Sequence, residues 1–179
     1  MEIDTMETKK KGFVSTMRDA ILQASIESLR QEGLKFSVDT LCEKMKISKK
    51  TVYKYFPDKE TLAVALYEKY YTDAAEQAER LIENNTKESH RELLKLYFDS
   101  KVMTCSNIFN KYKLNPTVSA YTKRKSDSLW EMIAMSFCCG KSDTEKQALR
   151  VIVDGSFEKL CNLEFSPDGV IERLMDLLW

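Results

Sequence analysis

Apolar residues recur every three or four positions from about residue 15 onward, which is the period of an α-helix that buries one face. The inner face of this first predicted helix is formed by Met17, Ile21, Ala24 and Leu29. Gly33 follows, and glycine accepts the left-handed backbone that commonly ends a helix. We therefore predict a first helix that ends just before Gly33.

Two short helices are predicted next. Ser37 and Ser48 are favourable N-cap residues, and each precedes a short apolar-periodic run. They begin predicted helices over residues 38–46 and 49–56. Pro57 ends the second of these helices, because proline cannot continue one. Two short helices joined by a tight turn, with a longer helix crossing them, predict a helix-turn-helix unit.

Longer helices make up the rest of the predicted fold. Asp58 is a good N-cap for a helix over residues 59–83, which would be about 37 Å long and is expected to connect two packing units. No alternating run predicts a strand, so the fold class is all-α with about nine helices. The remaining helical segments are predicted over residues 86–103, 106–113, 116–139, 142–163 and 166–179.

The composition is typical of a helical globular chain. Of the 179 residues, 43% are hydrophobic and 31% are charged, and the 5 glycines and 3 prolines are few for an all-β protein. Basic and acidic residues number 28 each, which excludes a uniformly basic nucleic-acid-binding surface but allows a local patch. No apolar run reaches the roughly 18–20 residues that a membrane helix needs.

The first residues have the features of an arm and not of a targeting signal. Residues 1–12 are polar and include three consecutive lysines, which predicts a mobile arm. They contain no apolar segment typical of a secretory signal. We therefore expect a cytoplasmic protein that does not associate with a membrane.

The five cysteines and the single histidine, His90, show neither the spacing of metal ligands nor a nucleophile with its base. We predict no metal site, no cofactor and no catalytic residue, and hence no enzyme. Cys138 and Cys139 are adjacent, which leaves two hypotheses: small buried side chains, or a pair that senses oxidants or a soft metal. His90 lies in a polar stretch and is predicted to face solvent.

The helix over residues 49–56 carries the clearest functional pattern. At 100° per residue, Val52 and Phe56 share the inner face, so Lys50 and Lys54 project outward with tyrosines beside them. Residues 44–59 contain six lysines against a single acidic residue, which suits the neutralisation of DNA phosphates. The alternatives are a solvated helix face and a basic helix of a protein-interaction module that binds an acidic partner.

The segment from Ile47 to Leu62, ISKKTVYKYFPDKETL, resembles the signature of the TetR/AcrR-type transcriptional regulators. It has an aliphatic-Ser turn, a Thr-aliphatic-Tyr recognition helix, an aromatic residue and a Lys-Glu-x-Leu opening of the next helix. The resemblance extends over about residues 15–66. It implies a homodimer that binds a palindromic operator in double-stranded DNA, usually represses, and releases DNA when a small-molecule effector enters the C-terminal domain. The implied division is residues 1–58 for DNA binding and 59–179 for effector binding and dimerisation.

The resemblance also implies the DNA contacts. Contacts to phosphate or sugar are implied for Thr51, Tyr53, Tyr55 and Lys59, with Ser37 at the phosphate facing the second helix. Contacts to base edges or backbone are implied for Lys49, Lys50 and Lys54. Two positions depart from the pattern, because Cys42 stands where the family usually has Ala and Lys46 where it usually has Gly.

The last two predicted helices are apolar over most of their circumference, which predicts burial on two sides. A partner subunit would cover one of these sides, as half of a four-helix dimer interface, while the alternative is an ordinary monomer core. The predicted interface residues are Ile152, Val153, Phe157, Leu160, Leu174 and Leu178.

Aromatic and large apolar residues of the C-terminal half could line a pocket for an apolar or aromatic effector, or could form an ordinary core. The candidate pocket residues are Tyr97, Phe98, Met103, Phe109, Tyr121, Trp130 and Phe137. The long fourth helix would then act as a lever that changes the spacing of the two DNA-binding units when the effector binds.

Overall fold

The computed structural model describes residues 16–32, 37–105, 116–138, 140–161 and 167–178. Within these residues every regular element is an α-helix, which confirms the all-α prediction. Eight helices are described where the sequence predicts about nine, and the predicted segment 106–113 lies outside the described residues, as do the arm 1–12 and Gly33. The helices are α1 Met17–Glu32, α2 Val38–Met45, α3 Lys49–Tyr55, α4 Lys59–Asn84, α5 Lys87–Cys105, α6 Pro116–Phe137, α7 Asp143–Cys161 and α8 Pro167–Leu178.

Side-chain caps begin the helices where the sequence places them. Ser37 Oγ accepts from the Thr40 amide at 3.1 Å, and Ser48 Oγ accepts from the Thr51 amide at 3.1 Å. Asp58 Oδ1 accepts from the Thr61 amide at 2.6 Å at the start of α4. Each cap satisfies one of the amides that a helix N-terminus leaves without an intrahelical partner, and so fixes where the helix begins. The Ser142–Glu145 capping box at α7 is formed in both directions as well.

The turn between α2 and α3 is closed by a left-handed residue that is not glycine. Lys46 has φ 54° and ψ 41°, and its amide donates to the carbonyls of Cys42 and Glu43. The Ile47 amide also donates to the Cys42 carbonyl, at 3.0 Å. The bonds from Lys46 to Glu43 and from Ile47 to Cys42 form the Schellman motif. The turn is therefore tight, although lysine occupies the position that favours glycine.

Helix α4 is the central helix of the structure. It packs against α1 on one side and against α5 and α6 on the other, while α5 also packs against α6 and α8. Its buried face includes Tyr67, Tyr70 and Tyr71, and the Tyr67 hydroxyl donates to the Met103 carbonyl of α5 at 3.0 Å. We call α1–α3 the head and α4–α8 the body. Helix α4 belongs to the body and also packs against α1 of the head.

The prediction that His90 faces solvent is wrong, because its side chain is buried and only 1% exposed. Its Nδ1 donates to the Thr86 carbonyl at 2.8 Å, and its Nε2 lies 2.6 Å from Ser136 Oγ. The ring also packs against Phe137, with centroids 4.9 Å apart. The end of α6 therefore covers the His90 ring, and its burial is tolerated because both ring nitrogens have partners.

Candidate nucleic-acid interface

The inner face of α3 anchors it in the head. Val52 and Phe56 are both 0% exposed and belong to the same core as Leu41 of α2 and Ile21 of α1. The Arg18 guanidinium of α1 lies 5.1 Å from the centre of the Phe56 ring. The predicted inward orientation of Val52 and Phe56 is confirmed, and it fixes which side of this two-turn helix faces outward.

The outer face of α3 is basic. Lys49, Lys50 and Lys54 are exposed, and Tyr53 and Tyr55 beside them are half-buried. Lys54 Nζ lies 5.8 Å from the centre of the Tyr55 ring, so this tyrosine supports the outward lysine by a cation–π contact. A short helix with lysines outward and hydroxyl-bearing rings at its edges has the chemistry that contacts phosphates and base edges in a DNA groove.

Three helix N-termini carry the remaining candidate residues. Ser37 and Thr51 are half-buried, and Thr51 Oγ1 lies 3.0 Å from the capping hydroxyl of Ser48. Lys59 is exposed at the first residue of α4. Free amides and the helix dipole make such an N-terminus favourable for an anion, and a lysine there adds a full positive charge. These positions suit phosphate contacts on either side of α3.

One feature of this surface was not found by the sequence analysis. Lys49 Nζ lies 2.5 Å from Oδ1 of Asp39, which belongs to the first turn of α2. Hydrogen bonding and charge from Asp39 raise the pKa of Lys49, so the lysine stays protonated. The residues are ten positions apart and belong to different helices, so only the α2–α3 turn brings them together. The sequence contains a weak signal for this pair. Apart from Glu43, Asp39 is the acidic residue closest before the lysine-rich segment 44–59.

The candidate pocket residues of the body are largely buried. Tyr97 lies against Trp130 with ring centroids 4.9 Å apart, and Phe98 lies against Phe157 at 5.7 Å. The first contact joins two members of the set across α5 and α6, and the second joins Phe98 to a residue of α7 outside the set. Of this set, Tyr97, Phe98, Met103, Trp130 and Phe137 are buried, Tyr121 is half-buried and Phe109 lies outside the described residues.

A polar network that the sequence does not predict lies beside the Tyr97–Trp130 contact. The Tyr97 hydroxyl donates to Asp154 Oδ1 at 2.8 Å, and Lys101 Nζ lies 2.9 Å from the same oxygen. Arg150 pairs with Asp127 and also reaches Asp154. Burial, followed by the Asp154 carboxylate, raises the pKa of Tyr97 and keeps its hydroxyl protonated as a donor. The network connects α5, α6 and α7 through groups that sequence spacing does not relate.

The predicted dimer-interface residues divide into two groups. Val153, Phe157 and Leu174 are at most 4% exposed, so the chain's own core covers them and they are not available to a partner subunit. Ile152 is 49% exposed. The side chains of Leu160 and Leu178 lie outside the described set. Of the six predicted residues, Ile152 therefore lies on the outward side of α7, together with residues that the prediction did not include.

The outward apolar side of α7 has helical spacing. Ala148, Val151, Ile152 and Gly155 are exposed, and they follow the i, i+3, i+4, i+7 pattern of one helix face. Val151 is 71% exposed. On α8, Leu177 is 78% exposed. Exposed apolar side chains in such a pattern are typical of protein–protein interfaces.

The cysteine pair is described only in part. Cys138 is buried, and burial raises the pKa of its thiol, which disfavours the thiolate that reacts with oxidants and metals. Cys139 lies outside the described residues. Among the residues that are described, no three His, Cys, Asp or Glu side chains come together as a metal site. No helix in this part of the chain is long and apolar enough to span a membrane.

Comparison with known proteins identifies the head. Residues 21–66 match the family model of the bacterial regulatory proteins, tetR family. The matched segment runs from the core residue Ile21 of α1 through α2 and α3 into the first two turns of α4, and it contains the whole basic surface. Comparisons with curated proteins and with solved structures found no match.

Proposed function

We propose that this DNA-binding transcriptional regulator of the tetR family is a homodimeric repressor, which binds a palindromic operator and is released from it by a small apolar or aromatic effector. The observation that carries the proposal is the fixed outward orientation of the α3 lysines above a buried Val52 and Phe56. A surface that is set by the core is pre-organised, so little ordering entropy is lost when it enters a groove.

The DNA contacts follow from the surface. Lys50 and Lys54 would reach base edges from the middle of α3, where the groove floor lies closest. Lys49, Tyr53 and Tyr55 would contact the flanking backbone. Ser37, Thr51 and Lys59 would hold phosphates at the three helix N-termini, which sets the register of α3 in the groove.

The dimer would form through the outward side of α7 together with α8. Val151, Ile152 and Leu177 are large, apolar and exposed in the single chain, while Ala148 and Gly155 allow a second helix to approach closely. The residues at these positions would bury one another across a two-fold axis, since an isologous interface uses the same patch twice. Two heads about 34–36 Å apart would then enter successive major grooves.

The effector would bind in the body at the aromatic cluster of Tyr97, Phe98 and Trp130, with the Asp154 network supplying the polar groups. Because α4 packs on α5 and α6 as well as on α1, repacking of the cluster would shift α4 and with it the spacing of the two heads. The effector would thus favour dimers whose heads no longer match the operator, which is a population shift.

Selection of bound duplexes from a random pool tests the proposal most directly. We expect the recovered sequences to be inverted repeats with half-sites about one helical turn apart, bound by a species with the mass of a dimer in light scattering. Recovered sequences that lack an inverted repeat and are bound by a monomer would contradict the proposed homodimer. Weak binding without any sequence preference would favour the alternative of a basic helix that docks on an acidic protein.

A further inference from the structure

The Asp39–Lys49 pair lies on the proposed DNA-binding surface and is open to solvent. The two side chains are 60% and 59% exposed, and Lys49 Nζ lies 2.5 Å from Asp39 Oδ1. Asp39 is in the first turn of α2 and Lys49 is the first residue of α3. The pair therefore links the N-terminal turn of α2 to the N-terminus of α3.

A carboxylate at this place is costly for a surface that binds phosphates. DNA carries one negative charge per about 1.7 Å of helix axis, so an acidic residue beside it is repelled. The cap of α2 does not require Asp39, because Ser37 already accepts from the Thr40 amide. Lys49, in turn, lies at a helix N-terminus, where the dipole disfavours a positive charge and a nearby carboxylate offsets that effect.

The pairing has a consequence for DNA affinity. As long as Asp39 holds Lys49, the two charges cancel and Lys49 contributes no counterion release on binding. A duplex gains the Lys49 contact only if its phosphate or base acceptor replaces the Asp39 carboxylate. Arbitrary DNA, whose phosphates meet the surface in many registers, makes that exchange poorly.

We propose that Asp39 is a specificity-determining residue, which lowers the affinity for arbitrary DNA by competing with phosphates for Lys49 and so widens the gap between operator and non-operator DNA. The inference depends on the proposed DNA-binding function. It assigns to Asp39 a role in discrimination, distinct from the role of the lysines in affinity.

The test compares Asp39→Asn with wild type on a mixed-sequence duplex of about 30 base pairs and on the duplex selected from the random pool. Asp39→Asn frees one cation, so binding to the mixed duplex should tighten by about 3–10-fold near 0.1 M salt. The slope of log K against log salt concentration should steepen by about 0.9. Affinity for the selected duplex should change less, so the ratio of the two affinities should fall.

Two variants separate the pair from a general charge effect. Glu43→Gln removes the same charge from an exposed position of the same helix and should change the mixed-duplex affinity less than Asp39→Asn does. In a Lys49→Gln background, Asp39→Asn should have no larger effect than Glu43→Gln. Asp39 is exposed and Asn has its shape, so thermal unfolding should show an intact head.

An unchanged salt slope, or an equal gain from Glu43→Gln, would overturn the inference while leaving the DNA-binding function standing. A wild-type chain that binds neither duplex would instead contradict the proposed function itself.

Discussion

Helices α3 and α7 are both amphipathic helices that bury one stripe in the chain and present another to the outside, and they differ in what the outer stripe is made of. In α3 the outer stripe is basic, with Lys50 and Lys54 opposite the buried Val52. In α7 it is apolar, with Val151 71% exposed opposite Val153 at 0%. A charged stripe is stable in water without a partner, whereas an apolar stripe is stabilised by one.

The difference separates two kinds of surface. The outer side of α3 is solvated in the single chain, so the proposed DNA contact there should be reversible. The outer side of α7 exposes apolar surface in the single chain, so the proposed dimer contact there should be long-lived. The proposed dimeric regulator would combine a reversible DNA contact with a stable subunit interface, and substitutions can perturb each surface separately.

The largest effect is expected from a charge on the apolar side of α7. Val151→Glu would place a carboxylate in each half of the proposed interface, where two such groups face one another away from water. We expect the dimer dissociation constant to rise by about 100-fold or more, measured by analytical ultracentrifugation. Operator binding should fall with it, because a monomer has a single head.

Met135→Glu is the matched control for this prediction. Met135 of α6 is 77% exposed, so the same change of an apolar residue to a carboxylate is made outside α7 and α8. This variant should remain dimeric and bind operator as wild type does. If the Met135→Glu variant is monomeric, or the Val151→Glu variant is dimeric, the subunit interface is not formed by the outward side of α7.

A smaller effect is expected from single lysines of the basic surface. Lys54→Ala should weaken operator binding by about 10-fold and relax preference at one base position, because it removes a proposed base contact. Lys59→Ala should weaken binding to all duplexes alike and lower the salt slope by about one, because it removes a proposed phosphate contact. Fluorescence anisotropy titrations over a range of salt concentrations measure both.

Lys123→Ala serves as the reference variant here, since Lys123 is an exposed lysine of α6 outside the head. It should leave affinity and slope unchanged. If Lys54→Ala and Lys59→Ala also behave like this reference, α3 and the start of α4 are not the DNA-binding surface.

The sequence predicts the head better than the body, for a physical reason. The caps at Ser37, Ser48 and Asp58 act over three residues, and the inward side of α3 follows from helical periodicity alone. Such local signals are complete in the sequence. The all-α class and the start of each described helix could be predicted from them.

The body depends on contacts between distant residues. His90 is buried because Ser136, 46 positions away, lies against its ring, and Tyr97 pairs with Asp154, 57 positions away. The periodicity of α7 shows that both sides are apolar, but only the packing of the body decides that Val153 faces inward. Asp39 escaped prediction for the same reason, since its partner is on another helix.

The smallest effect is expected at Lys46, and it tests how far local signals determine the head. For a residue with a Cβ atom, the left-handed conformation at φ 54° costs about 1–2 kcal/mol. Lys46→Gly removes that strain but loses part of the gain to the greater freedom of the unfolded chain. We expect a net stabilisation of about 0.5–1 kcal/mol, or roughly 1–4 °C in thermal unfolding.

Lys46→Ala separates the backbone from the charge. Alanine also has a Cβ atom, so it keeps the strain while removing the positive charge, and it should give no stabilisation. Asn85 at φ 43° offers a second comparison, because asparagine tolerates this conformation better than lysine and Asn85→Gly should gain less than Lys46→Gly. Equal stabilisation by Lys46→Gly and Lys46→Ala would mean that repulsion among the six lysines of residues 44–59, and not backbone strain, limits the stability of the turn.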